Sequence, residues 1–530
     1  MVQQISEIIL KNRMQSQYIY MSAQSSDNNK RIAKNTLLLY FRMLFMMVVS
    51  LYTSRVILNT LGVEDYGINN VVGGVVTMLA FINNAMSSAT QRYITFELGK
   101  QNRVRLNHIF STALQIHGLI SLLIFILGET IGLWFFYEKL VIPIDRMNAA
   151  MWVYQCSIVS AVVGIMSVPY NADIVAHEKM SAFAYISVLE TILKLVIVYL
   201  LVISPFDKLK TYSILFLCVG LLIRYIYGRY CTKHFEEAKY RHTFDIPLLK
   251  EMIGFAGWSF FGNFAAVLQS QGVNMMLNIF FGPVVNAARG VAVQVQGVVQ
   301  QFVTNFQMAL NPQITKNYAT NNLKEMHILM FRSARFSFFL LFFLCLPVIF
   351  EADCILQIWL GIVPKNTVVF LRIILCTSLI YTIANPMIIA NQATGKVKRY
   401  QAICGTIMLM ILPVSYIFLK MGMHAYVVFI VHFCMEAICQ VARMLLLRNL
   451  IQLSIKQYLL HIYKPIFLVV ALSVVIPYIV YSNMDSCFLR LVFVGIACVI
   501  SVGAMSFFFG LEKSERQFLK NKIMNRVKMR

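Results

Sequence analysis

Along most of the chain, apolar residues run unbroken for about twenty positions and then yield to short polar or basic stretches. Each run has the length of one bilayer crossing. The runs fall at 36–56, 67–90, 113–136, 147–168, 181–203, 211–230, 253–281, 285–310, 328–350, 367–390, 401–420, 424–447, 464–482 and 488–509. They are continuous rather than alternating, which predicts helices and not a barrel. The expected fold class is therefore an all-α polytopic membrane protein of about 14 transmembrane helices. Run 285–310, rich in glutamine, gives the weakest signal.

Lys and Arg in the loops orient the spans. An even number of spans places both ends on one face. That face gathers 34 cationic residues against 10 on the other, with Arg42 and Lys194 inside spans. The split predicts cytoplasmic termini. The polar stretch 1–35 lacks the charged, apolar, small-residue order of a signal peptide. Met21 is the expected start, since residues 1–20 add nothing to the pattern. The alternative is an amphipathic extension, "ISEIILKNRM", lying on the membrane surface.

Composition removes other classes. AVILMFWYC residues make up 59% of the 530 positions and charged residues 13%, against roughly 45–50% and about 25% in soluble chains. The +23 net charge sits between apolar runs, where it sets topology; no nucleic-acid partner is expected. The eleven cysteines include no CxxC and the nine histidines no HExxH, so neither disulfide nor metal site is expected. Gly73-Gly74 and Gly254–Gly262 follow no strand, so they are not phosphate loops. No ATP-binding motif occurs. The chain reads as a transporter, not an enzyme, and no cofactor is implied.

Two segments repeat. "LNTLG" from Leu58 and "LNIFFG" from Leu277 follow the first and seventh spans. "VPYNADIVAHEK" with Pro169 and "NPMIIANQATGK" with Pro386 follow the fourth and tenth, at separations of 111 and 109 residues. The match in order and spacing predicts two six-helix lobes in parallel orientation. The boundaries read from it are a tail 1–35, an N-lobe 36–233, a linker 234–252 and a C-lobe 253–450. Helices 13 and 14 (451–510) and a basic tail 511–530 lie outside the repeat.

The stretch Lys30 to Val75, "KRIAKNTLLLYFRMLFMMVVSLYTSRVILNTLGVEDYGINNVVGGV", resembles the first two helices of the multidrug/oligosaccharidyl-lipid/polysaccharide exporter superfamily. Within it, the chain is most similar to the bacterial polysaccharide (O-antigen, lipopolysaccharide-type) flippases. The repeat and the appended pair extend the resemblance over about 30–510. It implies two lobes forming a V around a central cavity, in the bacterial inner membrane. It also implies movement of an undecaprenyl-pyrophosphate-linked oligosaccharide to the outer leaflet by alternating access. Polymerase and glycosyltransferases of the same pathway would be partners. The first span has no acidic residue, which departs from the drug-exporter branch.

Charge inside a membrane is a functional candidate by default. Arg42 lies six residues into span one; it is either a cavity residue or snorkels to the headgroups. Arg289, Gln296, Gln300 and Gln307 are spaced 7, 4 and 7, which makes one helical stripe. Asn70, Thr77, Asn84, Ser88 and Gln91 make a similar stripe on span two. The two stripes are expected to face each other across the lobes and suit sugar hydroxyls; the alternative is helix–helix hydrogen bonding. Glu190 and Lys194 are placed to pair at i,i+4; they are also coupling-ion candidates, with Glu190 second after Glu436. Glu436 has no cation at i±3 or i±4, so it is read as a lone carboxylate and the first candidate for a coupling proton. Arg372 is open between cavity residue and anchor. The rival readings are a multidrug exporter of the same fold and, from another class, a membrane glycan polymerase or ligase. The latter needs a long outer loop, and the longest here is about 16 residues.

Overall fold

A computed structural model describes residues 34–50 and 81–517 apart from 139–141, 242–244, 361–362, 486–487 and 514, with scattered positions between 51 and 80. The tail and the loop carrying LG…YG, including Asn70, lie wholly or mostly outside the described residues. Those residues form helices and no strand. We label the long helices α1 (34–50), α2 (Phe81–Lys100), α3 (Arg103–Glu138), α4 (Ile144–Ala176), α5 (Met180–Ile203) and α6 (Lys208–His234). Then come α7 (Ile246–Phe281), α8 (Pro283–Ala319), α9 (Leu323–Phe350), α10 (Thr367–Thr394), α11 (Lys398–Lys420), α12 (Val427–Leu450), α13 (Ile455–Ser482) and α14 (Phe488–Gly510). Ten of them are long and apolar enough to cross a membrane. Although α7 and α8 are 36 and 37 residues long, they fall outside those ten, because Asn, Gln, Ser and Gly dilute their apolar faces.

Several helices outrun their apolar stretches on the face rich in Lys and Arg. The second run ends at residue 90 but α2 continues to Lys100, and the run beginning at 113 belongs to a helix starting at Arg103. An apolar run marks the hydrocarbon layer. The helix continues beyond it because its backbone bonds are internal and its polar ends pack on one another. Within the 234–252 stretch, α7 already starts at Ile246. There the Asp245 side chain accepts the Leu248 backbone N–H at 2.9 Å, as a helix N-cap does.

The helices pack in two groups with matching partners. In the first, α4 packs on α2, α3 and α6; in the second, α10 packs on α8, α9 and α12. Pro169 in α4 and Pro386 in α10 each lie about two turns from the helix's basic end. One buried apolar cluster spans α7 to α14, and another spans α2 to α6 with the start of α7. Helices α13 and α14 are fastened to α9 at both ends. Arg490 pairs with Glu351 at 2.8 Å at one end; Arg335, 1% exposed, pairs with Glu512 and Glu515 at 3.1 and 2.8 Å at the other.

The groups meet near the basic face. Tyr93 of α2 donates to Glu251 of α7 at 3.0 Å. Glu178, in the turn after α4, accepts from Gln313 of α8 at 3.1 Å and pairs with Lys316 at 2.9 Å. The Arg92 guanidinium of α2 donates to the carbonyls of Gln392 and Ala393, both at 3.0 Å, closing the C-terminal end of α10.

Candidate functional site

Away from the basic face, much of the polar content of α7 and α8 is spent inside the second group. A cavity of about 390 Å³ lies among α7, α8, α10, α11 and α12, walled by Asn263, Gln269, Gln296, Gln300, His432 and the Glu436–Arg443 pair, among others. A smaller one of about 110 Å³ adjoins it through the shared residues Gln269, Gln296, Thr377 and His432, and carries Arg289. At the wall of the larger cavity, Gly262 of α7 leaves room for the Gln401 side chain of α11; a Cβ at 262 would lie 2.0 Å from the Gln401 side-chain oxygen and push that amide aside.

Arg289 donates to the Ser270 carbonyl and hydroxyl at 3.0 and 3.1 Å and to Asn274 Oδ1 at 3.3 Å, all on α7. Every partner is neutral, so its charge is solvated but not cancelled. Gln296 donates to the Ser378 hydroxyl at 2.7 Å, and buried Gln307 donates to the Thr382 carbonyl at 3.0 Å, both on α10. Gln300 lines the larger cavity with its side-chain oxygen unbonded. This corrects the expectation of two stripes facing across the lobes. The stripe on α8 turns toward α7 and α10 of its own group. An amide in an apolar bundle needs a partner, and the Ser378 hydroxyl and, four residues before Pro386, the Thr382 carbonyl of α10 supply one. On the second helix, Asn70 lies outside the described residues, as does the side chain of Asn84.

Arg42 lies in the first group. Its guanidinium carbon is 4.5 Å from the centre of the Phe183 ring of α5, a cation–π contact. Its Nε is buried with no hydrogen-bond partner, and no ion pair to it occurs among the described residues. Glu190, which lies in its vicinity, is bound to Lys194 at 2.6 Å. Arg372 donates to the Ile349 and Phe350 carbonyls and pairs with Asp353 at 3.1 Å. It is an anchor that caps α9.

Glu436 is not a lone carboxylate. Its Oε1 lies 2.5 Å from Arg443 Nη1, with the two side chains 2% and 4% exposed. Arg443 lies inside the apolar run 424–447, and α12 continues past it to Leu450. Seven residues are two helical turns, so positions 436 and 443 share one face, and two long side chains span the gap. An i,i+7 search would have found the pair. Gln440, one turn from each, accepts from Arg443 at 3.4 Å and donates to the Tyr458 hydroxyl at 3.3 Å. Sequence reasoning also passed over His432, Asn263 and Gln269, because isolated polar residues in an apolar run have no spacing signature.

No family model and no curated protein matches the sequence. Solved structures do. The chain is similar to an outward-facing multidrug resistance MATE family transporter of the MOP superfamily. The TM-score is 0.69 at 12% identity, over 80% of this chain and 96% of that one. It is also similar to a MATE protein in the bent conformation, with a TM-score of 0.69 at 13% identity and the same coverage. A third is a MOP superfamily transporter from Pyrococcus furiosus, whose binding pocket is described as of reversed polarity, suggesting a different function. There the TM-score is 0.65 at 13% identity, over 80% of this chain and 96% of that chain. The fold is therefore that of MATE transporters, an all-α polytopic membrane architecture.

Proposed function

We propose that the protein is a flippase of the bacterial cytoplasmic membrane, with both termini in the cytoplasm. Its substrate is an undecaprenyl-pyrophosphate-linked oligosaccharide, carried to the outer leaflet for surface polysaccharide or lipopolysaccharide synthesis. The observation that carries this reading is the contrast among three interior arginines. Arg443 is neutralised by Glu436, whereas Arg42 and Arg289, one in each helix group, have no carboxylate bound among the described residues. A diphosphate leaving water needs fixed cations in return, and arginine binds two oxygens at once. The larger cavity has room for a diphosphate but not for an oligosaccharide, so the sugars would pass between the two groups. Loading at Arg42, release at Arg289 and rocking of the groups would complete alternating access.

A multidrug exporter of the same fold is favoured by the multidrug transporter among the similar structures. A cationic drug wants a free carboxylate, and the Glu436 carboxylate in this cavity is bound to Arg443. Deleting the gene distinguishes the two. A flippase loss depletes surface glycan and leaves lipid-linked glycan on the cytoplasmic leaflet with drug susceptibility unchanged. Raised drug susceptibility with normal surface glycan favours the exporter.

A further inference from the structure

At the basic end of α4, three donors from distant parts of the chain converge. Asp173 and His177 are one turn apart, and Glu237 arrives from a short 3-10 turn, Glu236–Ala238, in the segment between the two helix groups. Their ligand atoms all lie within 4.8 Å of one another. His177 Nε2 is 2.5 Å from Glu237 Oε1 and 3.7 Å from Asp173 Oδ1. Asp173 is fully buried, yet neither of its oxygens has a hydrogen-bond partner. An uncompensated buried carboxylate is costly. The neighbouring cations are engaged elsewhere: Arg103 pairs with Glu236 at 2.8 Å, and Arg224 stacks 4.1 Å over Tyr170.

We propose that Asp173, His177 and Glu237 bind a divalent transition-metal ion of the Zn²⁺ type. One imidazole and two carboxylates suit such an ion, and three protein ligands leave a position for water. The i,i+4 pair on one helix face is the spacing by which helical residues share a metal; the third ligand, sixty positions on, hid the set from a search for local motifs. Binding would exchange the proton between His177 and Glu237 for the ion. The surroundings already hold the ligands in place. Phe235 stacks on the His177 ring at 4.1 Å, and Asn107 donates to the Glu237 and Lys239 carbonyls at 2.9 and 2.8 Å. His177 is the most exposed of the three and gives the ion its entry. The next residue, Glu178, holds Gln313 and Lys316 of α8, so the ion would pin the inter-group segment beside that contact.

The test uses full-length protein in detergent, purified without a histidine tag, stripped with chelator and titrated with Co²⁺ and then Zn²⁺. The expected result is saturable binding of one ion per chain, with visible Co²⁺ absorption bands that Zn²⁺ removes. Asp173→Asn and His177→Gln should each weaken that binding at least about tenfold, while His424→Gln should leave it unchanged. Should a variant fail to fold, the unmodified protein still decides. Absence of saturable binding to it overturns the proposal, as does binding that both folded variants retain.

Discussion

Arg92 of α2 and Gly395, the residue that ends α10, are matched across the two helix groups. The guanidinium closes the end of α10, and a Cβ at residue 395 would sit 2.8 Å from Arg92 Nη2. Gly395 also has φ +75°, a conformation that favours glycine at a helix end. Arg92→Ala should loosen the basic face by on the order of 3–6 kcal/mol, at roughly 1.5–3 kcal/mol for each of its two charge-assisted hydrogen bonds, and Gly395→Ala should loosen it by pushing the guanidinium aside. Gly99 marks the same closure, since a Cβ at 99 would lie 2.8 Å from the Ala319 Cβ and 3.0 Å from the Lys316 carbonyl oxygen. Trypsin cleavage of the turn 395–399 in detergent should be slow in the native protein and faster once Arg92 is Ala. An unchanged rate would show that Arg92 does not hold this face closed.

The Glu436–Arg443 pair makes a different prediction. Removing one partner of a buried pair leaves a bare charge and costs about 3–5 kcal/mol. Glu436→Gln and Arg443→Gln should each lower the melting temperature in detergent, and the double variant should recover part of the loss. If Glu436 also carries the coupling proton, Glu436→Gln abolishes surface glycan even at expression levels equal to the native protein. Glycan synthesis that persists across pH 6–8 would leave the pair a structural one.

How much of this was legible beforehand depended on the range of each signal. The helices were, because twenty apolar residues in a row admit few alternatives in lipid; even glutamine-rich α8 was recognised. The Glu190–Lys194 contact was too, since i,i+4 neighbours touch whatever the tertiary fold. The direction of the Gln296–Gln307 stripe was not, because periodicity gives a face but not the neighbour it meets; the hydroxyls of α10 decide that. The Glu436–Arg443 pair was not legible from neighbours at i±3 and i±4, because its partners lie two turns apart. Arg92 and Glu178 have partners 300 and 138 residues away, which carry no sequence mark.

Arg335 fastens the final helix pair. The Arg335 side chain is 1% exposed and its charge is held by Glu512 and Glu515. Arg335→Ala should leave Glu512 without its cation and Glu515 with Arg332 alone, and free the end of α14. Limited proteolysis should then cut after residue 510 faster than in the native protein, while Arg332→Ala, whose pair with Glu515 is more exposed, should have the smaller effect. Equal rates for the two would show that burial of the arginine adds nothing to the clamp.

The most direct test concerns Arg42 and Arg289, one arginine in each helix group with no carboxylate bound among the described residues. Surface glycan is measured in cells carrying Arg42→Ala, Arg289→Ala or the corresponding lysine variants, at matched membrane expression. Each alanine variant should abolish export, and each lysine variant, which keeps the charge but loses the fork, should retain part of it. A cation that merely snorkels to the headgroups would tolerate alanine. Normal surface glycan with both Arg42→Ala and Arg289→Ala would contradict the cationic path.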